Sequence, residues 1–239
     1  MSGVKAIFKK QVKDTYKNMV VLVQFLLFPL VAFIMTELIA RGDDTIPNTM
    51  FATMMAAIFA GMGLIPMIAG IIAEDRERKS LRFLVMAGVK PSAYLVGIGS
   101  VILLVSLVPA VAFSFTADFS GQDFWVFVAV IMSGVSASIL IGATIGIVSE
   151  NQQAATGLSM PVAMILGFGP MIAQFNDTAA QIFHVFYTQQ FNIVADSLVV
   201  TGGYQADTSL WQSFGIMWAN VAVMLVLFIF FYKKRGLQG

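Results

Sequence analysis

The sequence contains no cysteine and a single histidine, His184. Disulfides, thiol redox chemistry and cysteine-built metal sites are therefore excluded, one imidazole cannot assemble a histidine cluster, and no metal site is expected. Charge is scarce as well: Asp, Glu, Lys and Arg make up 11% of the chain, where soluble domains carry about a quarter. No Gly-Lys dipeptide occurs, so the Gly-x-x-x-x-Gly-Lys-Ser/Thr loop that cradles phosphates is missing and no catalytic residue for ATP hydrolysis is expected in this chain. Ionisable residues are almost absent from the long apolar runs. That tells against ion-coupled transport, which keeps such costly groups inside the membrane for function.

What is present is grease. Hydrophobic residues are 58% of the 239 and the mean hydropathy is +0.85, the composition of an all-α integral membrane protein. A membrane-crossing helix needs roughly 20 apolar residues. Six such runs occur, at about 19–40, 50–73, 92–115, 124–149, 154–175 and 210–232, so residues 19–239 are read as a six-helix transmembrane domain. Ahead of them, Val4, Phe8, Val12 and Tyr16 recur every four positions beside Lys5, Lys9, Lys13 and Lys17. That spacing predicts an amphipathic helix over 1–18 lying in the membrane surface. A cleaved signal peptide does not fit, because the apolar run is too long and Leu38 and Ala40 make no small-x-small cleavage site.

The positions of the charges set the orientation. Every Lys and Arg except Arg41 falls in the N-terminal segment, in the loop between the second and third runs, or in the tail Lys233-Lys234-Arg235. Those compartments alternate correctly for six spans with both termini in the cytoplasm. The opposite side holds Glu37, Asp43, Asp44, Asp118, Asp123, Asp177, Asp196 and Asp207 against Arg41 alone.

Within the spans, Gly134, Ser138, Gly142 and Gly146 form a small-residue stripe at four-residue spacing, suited to close helix packing. Pro29, Pro66, Pro109 and Pro161 lie inside runs and mark candidate bends, and Gly167-Phe168-Gly169-Pro170 predicts a distorted end to the fifth span. The stretch 177–204 is too polar for a lipid-exposed span and too apolar for a solvated loop. Phe183, Phe186, Tyr187 and Phe191 sit among Gln181, Gln189, Gln190, Asn192 and Asp196, which predicts a helical hairpin re-entering the outer leaflet and covered by protein.

Between the second and third spans, 74–91 is the one charge-dense interior block. Glu74 precedes Arg78 by four residues and Asp75 precedes Lys79 likewise, an order that supports helix. Ser80 then caps a short second helix with Leu81, Leu84 and Val85 on one face, ended by Gly88 and Pro91. This block resembles the cytoplasmic elbow of the type-2 ABC exporter permeases. Glu74, Glu77, Leu81, Leu84, Pro91 and Gly97 fit that family's pattern, while Lys79, Ser80, Arg82 and Ile98 stand where Gly, Thr, an acid and Lys are usual.

The resemblance implies that Glu74, Glu77, Arg78, Leu81, Arg82, Phe83 and Leu84 form a coupling helix docking on a separate ATPase. Two copies of that ATPase would carry ATP and Mg2+, with no cofactor on this chain. It implies pairing with a second permease, itself or a paralogue, in the cell membrane of a bacterium, and no nucleic-acid partner. It implies an extracellular re-entrant hairpin before the last span, with Phe183, Phe186, Tyr187 and Phe191 as an outer gate. It also implies a substrate path beside the first, second and fifth spans, for which Gln24, Phe28, Met55, Phe59, Met62, Met164 and Phe168 are candidates. The function expected is ATP-driven export of an amphipathic or hydrophobic substrate, a peptide, drug or antibiotic, lipid or glycan. The alternative is an ATP-independent secondary carrier or channel, and a membrane enzyme stands third.

Overall fold

The computed structural model describes residues 8–9, 11–13, 19–43, 45–78, 91–200 and 208–235. The distal part of the expected elbow, 79–90, and most of the expected N-terminal helix lie outside them. Of that N-terminal segment, 8–9 and 11–13 are helical, with Gln11 buried and Lys9, Val12 and Lys13 exposed.

Six helices among the described residues are long and apolar enough to cross a membrane. They are α1 (Met19–Leu38), α2 (Thr49–Glu77), α3 (Pro91–Thr116), α4 (Gly121–Val148), α5 (Gln152–Ala173) and α8 (Thr208–Arg235). Two shorter ones, α6 (Asp177–Phe183) and α7 (Gln189–Val200), stand between α5 and α8. The apolar runs fix where these helices lie, but polar residues set where they end. Asn151 Oδ1 accepts from the Ala154 N–H at 2.8 Å and Asn176 Oδ1 from the Ala179 N–H at 3.0 Å, capping α5 and α6. The α3–α4 turn places Asp118 at φ 58° and Gly121 at φ 57°, a conformation that Asp and Gly tolerate better than other residues.

α4 is the hub. It packs on α2, α3, α8 and α7, while α5 packs on α2 and α6, and α1 on α2 and α3. The small-residue stripe is what allows this. At Gly142 a Cβ would meet the Ile65 carbonyl oxygen at 2.8 Å, and at Gly146 it would meet Ile72 Cβ at 2.8 Å, so α2 lies directly on the α4 backbone. At Gly134 it would meet the Phe191 ring at 2.4 Å, so the other half of the stripe seats α7. In the membrane-crossing window of α2, 72% is buried, against 6% for α8, which places α2 at the centre and α8 at the lipid-facing rim.

The distortion expected at Gly167–Pro170 is not there: α5 stays α-helical through Pro161 and Pro170 to Ala173. Its glycines serve packing, since a Cβ at Gly169 would meet the Phe183 ring at 2.2 Å. The irregular turn lies in α2 instead, where Phe59–Leu64 is π-helical and Pro66 follows after Ile65. Proline cannot donate to the carbonyl four residues back and its ring crowds it, and a widened turn relieves both problems.

Candidate functional site

The expected site residues fall in three places. The first is the C-terminal end of α2, which continues in helix past its apolar run to Glu77. The Arg78 guanidinium pairs with Glu74 at 2.7 Å, four residues back as the sequence predicts. The residues between them make contacts that no spacing rule foretells. The Arg76 guanidinium donates to the Ile147 carbonyl and, at 3.0 Å, to that of Ser149. These are orphan acceptors at the C-terminal, partly negative end of α4. Glu77 Oε2 accepts from the Gln152 backbone N–H at 3.2 Å, an anion at the partly positive N-terminus of α5. The Tyr94 hydroxyl donates to the Asp75 carboxylate, tying in the start of α3.

Consecutive opposite charges thus match the opposite ends of two helix dipoles, and the base of α2 is clasped to α3, α4 and α5 together. Of the coupling residues expected from sequence, Glu74, Glu77 and Arg78 belong to this clasp. Leu81, Arg82, Phe83 and Leu84 lie outside the described residues. Asp75, Arg76, Tyr94, Ser149 and Gln152 were missed, because most of their partners are backbone groups far away in the chain.

The second place is at mid-membrane, where the π turn of α2 crosses α5. A Cβ at Gly61 would meet the Gly167 backbone nitrogen at 2.6 Å, so the two helices touch backbone to backbone. Gln24 of α1 donates through Nε2 to the Gly63 carbonyl at 2.8 Å, which satisfies an acceptor on the widened turn. Around this crossing Phe28, Met55, Met62 and Phe168, all partly buried, pack on one cluster containing Met54 and Ile58. With Gln24, five of the seven path candidates are therefore brought together between α1, α2 and α5. Met164, one turn before Phe168, is exposed. Phe59 is not on this surface: its ring is fully enclosed, 5.4 Å from that of Phe25 and 6.1 Å from those of Phe28 and Phe113.

The third place is the stretch of the expected hairpin, where the short helices α6 and α7 stand. Phe191 is fully buried and Tyr187 nearly so, both against α4. The Ser138 hydroxyl already donates to the Gly134 carbonyl at 3.1 Å, so the Tyr187 hydroxyl, 2.8 Å from Ser138 Oγ, is the donor in that pair. Phe183 lies on Gly169 of α5, with the half-buried Phe186 ring 5.7 Å away. Asn220 Nδ2 donates to the Val185 carbonyl at 2.8 Å, joining the turn to α8. The four hairpin aromatics therefore divide into two locked in the core and two nearer the surface.

At the end of the bundle that bears this hairpin, Arg41 Nη2 pairs with Asp118 Oδ1 at 3.0 Å and with Glu37 Oε1 at 3.3 Å. Asn48 Nδ2 donates to the same Asp118 at 3.0 Å, so two connections are held by one carboxylate. Nearby, hydrogen bonds from the Thr45 hydroxyl and then its backbone N–H hold the Asp43 carboxyl below its usual range.

A family model described as ABC-2 family transporter protein matches residues 9–230. No curated protein matches the chain.

Proposed function

Because the chain belongs to the ABC-2 family of transporter proteins, and so is the membrane permease component of an ABC transporter, we propose that it is the membrane half of an ATP-driven exporter. The observation that carries this reading is the clasp at Glu74–Arg78. A force applied to the chain just after Arg78 is delivered at once to α2, α3, α4 and α5, which suits a part driven from outside. In this reading the elbow 74–91 docks on a separate ATPase, present in two copies with ATP and Mg2+, and the permease pairs with a second permease across the membrane. The basic N-terminal segment, the elbow and the Lys233-Lys234 tail face the cytoplasm, and the hairpin faces outward as a gate.

The substrate surface is the cluster of Phe28, Met55, Met62 and Phe168, extended by Met164. Methionine there gives a soft, adaptable wall, and the lack of charge favours an amphipathic or greasy substrate.

The test is to purify the protein from native membranes with its partner and to replace Leu81 and Leu84 by Asp. The wild type is expected to bring down an ATPase with a nucleotide-binding loop and to export in an ATP-dependent manner. The double variant is expected to reach the membrane but lose at least tenfold in ATPase recovered. Full recovery and export by that variant would remove the elbow from the mechanism, and export undiminished by ATP depletion would overturn the whole reading.

A further inference from the structure

A cavity of about 470 Å³ opens between α2, α3, α4 and α8. Its walls include Ile72 of α2, Leu95 and Gly99 of α3, Ala143 of α4, and Leu225 and Ile229 of α8. Ser100 is the only polar side chain among the lining residues, and its hydroxyl is turned back to the Gly97 carbonyl at 3.0 Å. Water would find almost no partner there, and apolar cavities of this kind stay dry. The volume is that of a site for one small molecule or chain segment.

We infer that this cavity is a binding site for one acyl chain of an anionic phospholipid whose headgroup is held by Lys233 and Lys234. Three observations favour that occupant. The cavity reaches the bundle surface through Val96, Leu225 and Ile229, all well exposed and flanked by the lipid-facing length of α8. Along α8 the wall residues Leu225 and Ile229 lead, four residues on, to Lys233 on the same face, and Lys233 and Lys234 are exposed. A cation thus stands where a phosphate would lie if the chain below it filled the cavity.

The third observation concerns a second protein helix. From Met224 to Phe231 the sequence of α8 is Met-Leu-Val-Leu-Phe-Ile-Phe-Phe, with no Gly, Ala, Ser or Thr, the small residues that let membrane helices approach each other. A flexible chain conforms to such a bulky wall more readily than a rigid helix does. The bound chain closes the gap between α3 and α8 and fastens the rim helix to the bundle.

The experiment uses the full chain in mild detergent, stripped of native lipid. Dioleoylphosphatidylglycerol or dioleoylphosphatidylcholine is added, and bound lipid is counted by native mass spectrometry. One phosphatidylglycerol per chain is expected, with an apparent affinity about 10- to 30-fold above that for phosphatidylcholine, as two lysines at a membrane surface provide. Replacing Lys233 and Lys234 by Ala is expected to abolish the preference while leaving weak binding of both lipids. Gly99→Leu, which projects into the cavity, is expected to displace both. Gly99→Ala, whose methyl would sit 3.5 Å from Ile139 in ordinary contact, is expected to keep them. Equal affinity of the wild type for the two lipids, or full binding by Gly99→Leu, would overturn the assignment. So would cross-linking of Leu225→Cys to a second copy with no lipid bound.

Discussion

The Ser138–Tyr187 pair shows how much one hydroxyl can decide in a buried setting. Ser138 satisfies itself on the Gly134 carbonyl, whereas the Tyr187 hydroxyl depends on Ser138. Tyr187→Phe removes both the donor and its need, and is expected to cost about 0.5–1.5 kcal/mol; Ser138→Ala strands a buried donor and should cost about 1–3 kcal/mol. The two variants separate by thermal unfolding in detergent, and the order Ser138→Ala below Tyr187→Phe in midpoint is the outcome to look for. Neither partner announces the other in the sequence. Ser138 is legible as a member of a small-residue stripe and Tyr187 as part of an apolar hairpin, but 49 residues separate them and only the fold brings them together.

At the level of elements, the spans were legible because each is a long apolar run. Two short helices between the fifth and sixth spans were legible because the polar and aromatic residues there alternate too closely for either a span or a loop. The π turn was not legible, because it arises where Pro66 follows Gly61, which must meet α5, and Gly63, which must meet Gln24 and Phe28 of α1, and neither requirement alone predicts it. The clasp was half legible. Glu74 and Arg78 form a pair that spacing foretells, while Arg76 and Glu77 are spent on the ends of other helices. Their unequal burial gives a prediction. Arg76→Ala leaves two carbonyls at the end of α4 without their charged donor, beside the buried Ser149, and should cost about 2–4 kcal/mol. Glu77→Gln loses an exposed charge near the α5 N-terminus and should cost about 0.3–1 kcal/mol. Thermal melts of the two variants with wild type alongside would check the ratio; equal losses would show that the clasp is only surface decoration.

For the whole molecule, orientation rests on the charge asymmetry, and chemical labelling in intact cells reads it directly. Cysteines introduced singly at Lys9 and Lys234 are expected to stay unreactive to an impermeant thiol reagent while one at Asp44 reacts; the reverse pattern would invert the molecule. At the same scale, the pairing of α2 and α5 has a mechanical meaning. They are joined at two heights, by Glu77 on Gln152 at the base and by Gly61 on Gly167 at mid-membrane. A rod fastened at two points cannot turn about either one, so the lower half of α2 is a fixed post. Above the π turn, Thr49–Ile58 is a segment of 10 residues, about 15 Å long at 1.5 Å per residue, packed on α1, α3, α5 and α7. A tilt of about 10° at its root would carry the tip by roughly 3 Å and would have to take those neighbours with it, so Phe28 and Phe168 would shift together with Met55 while the clasp beneath stayed in place.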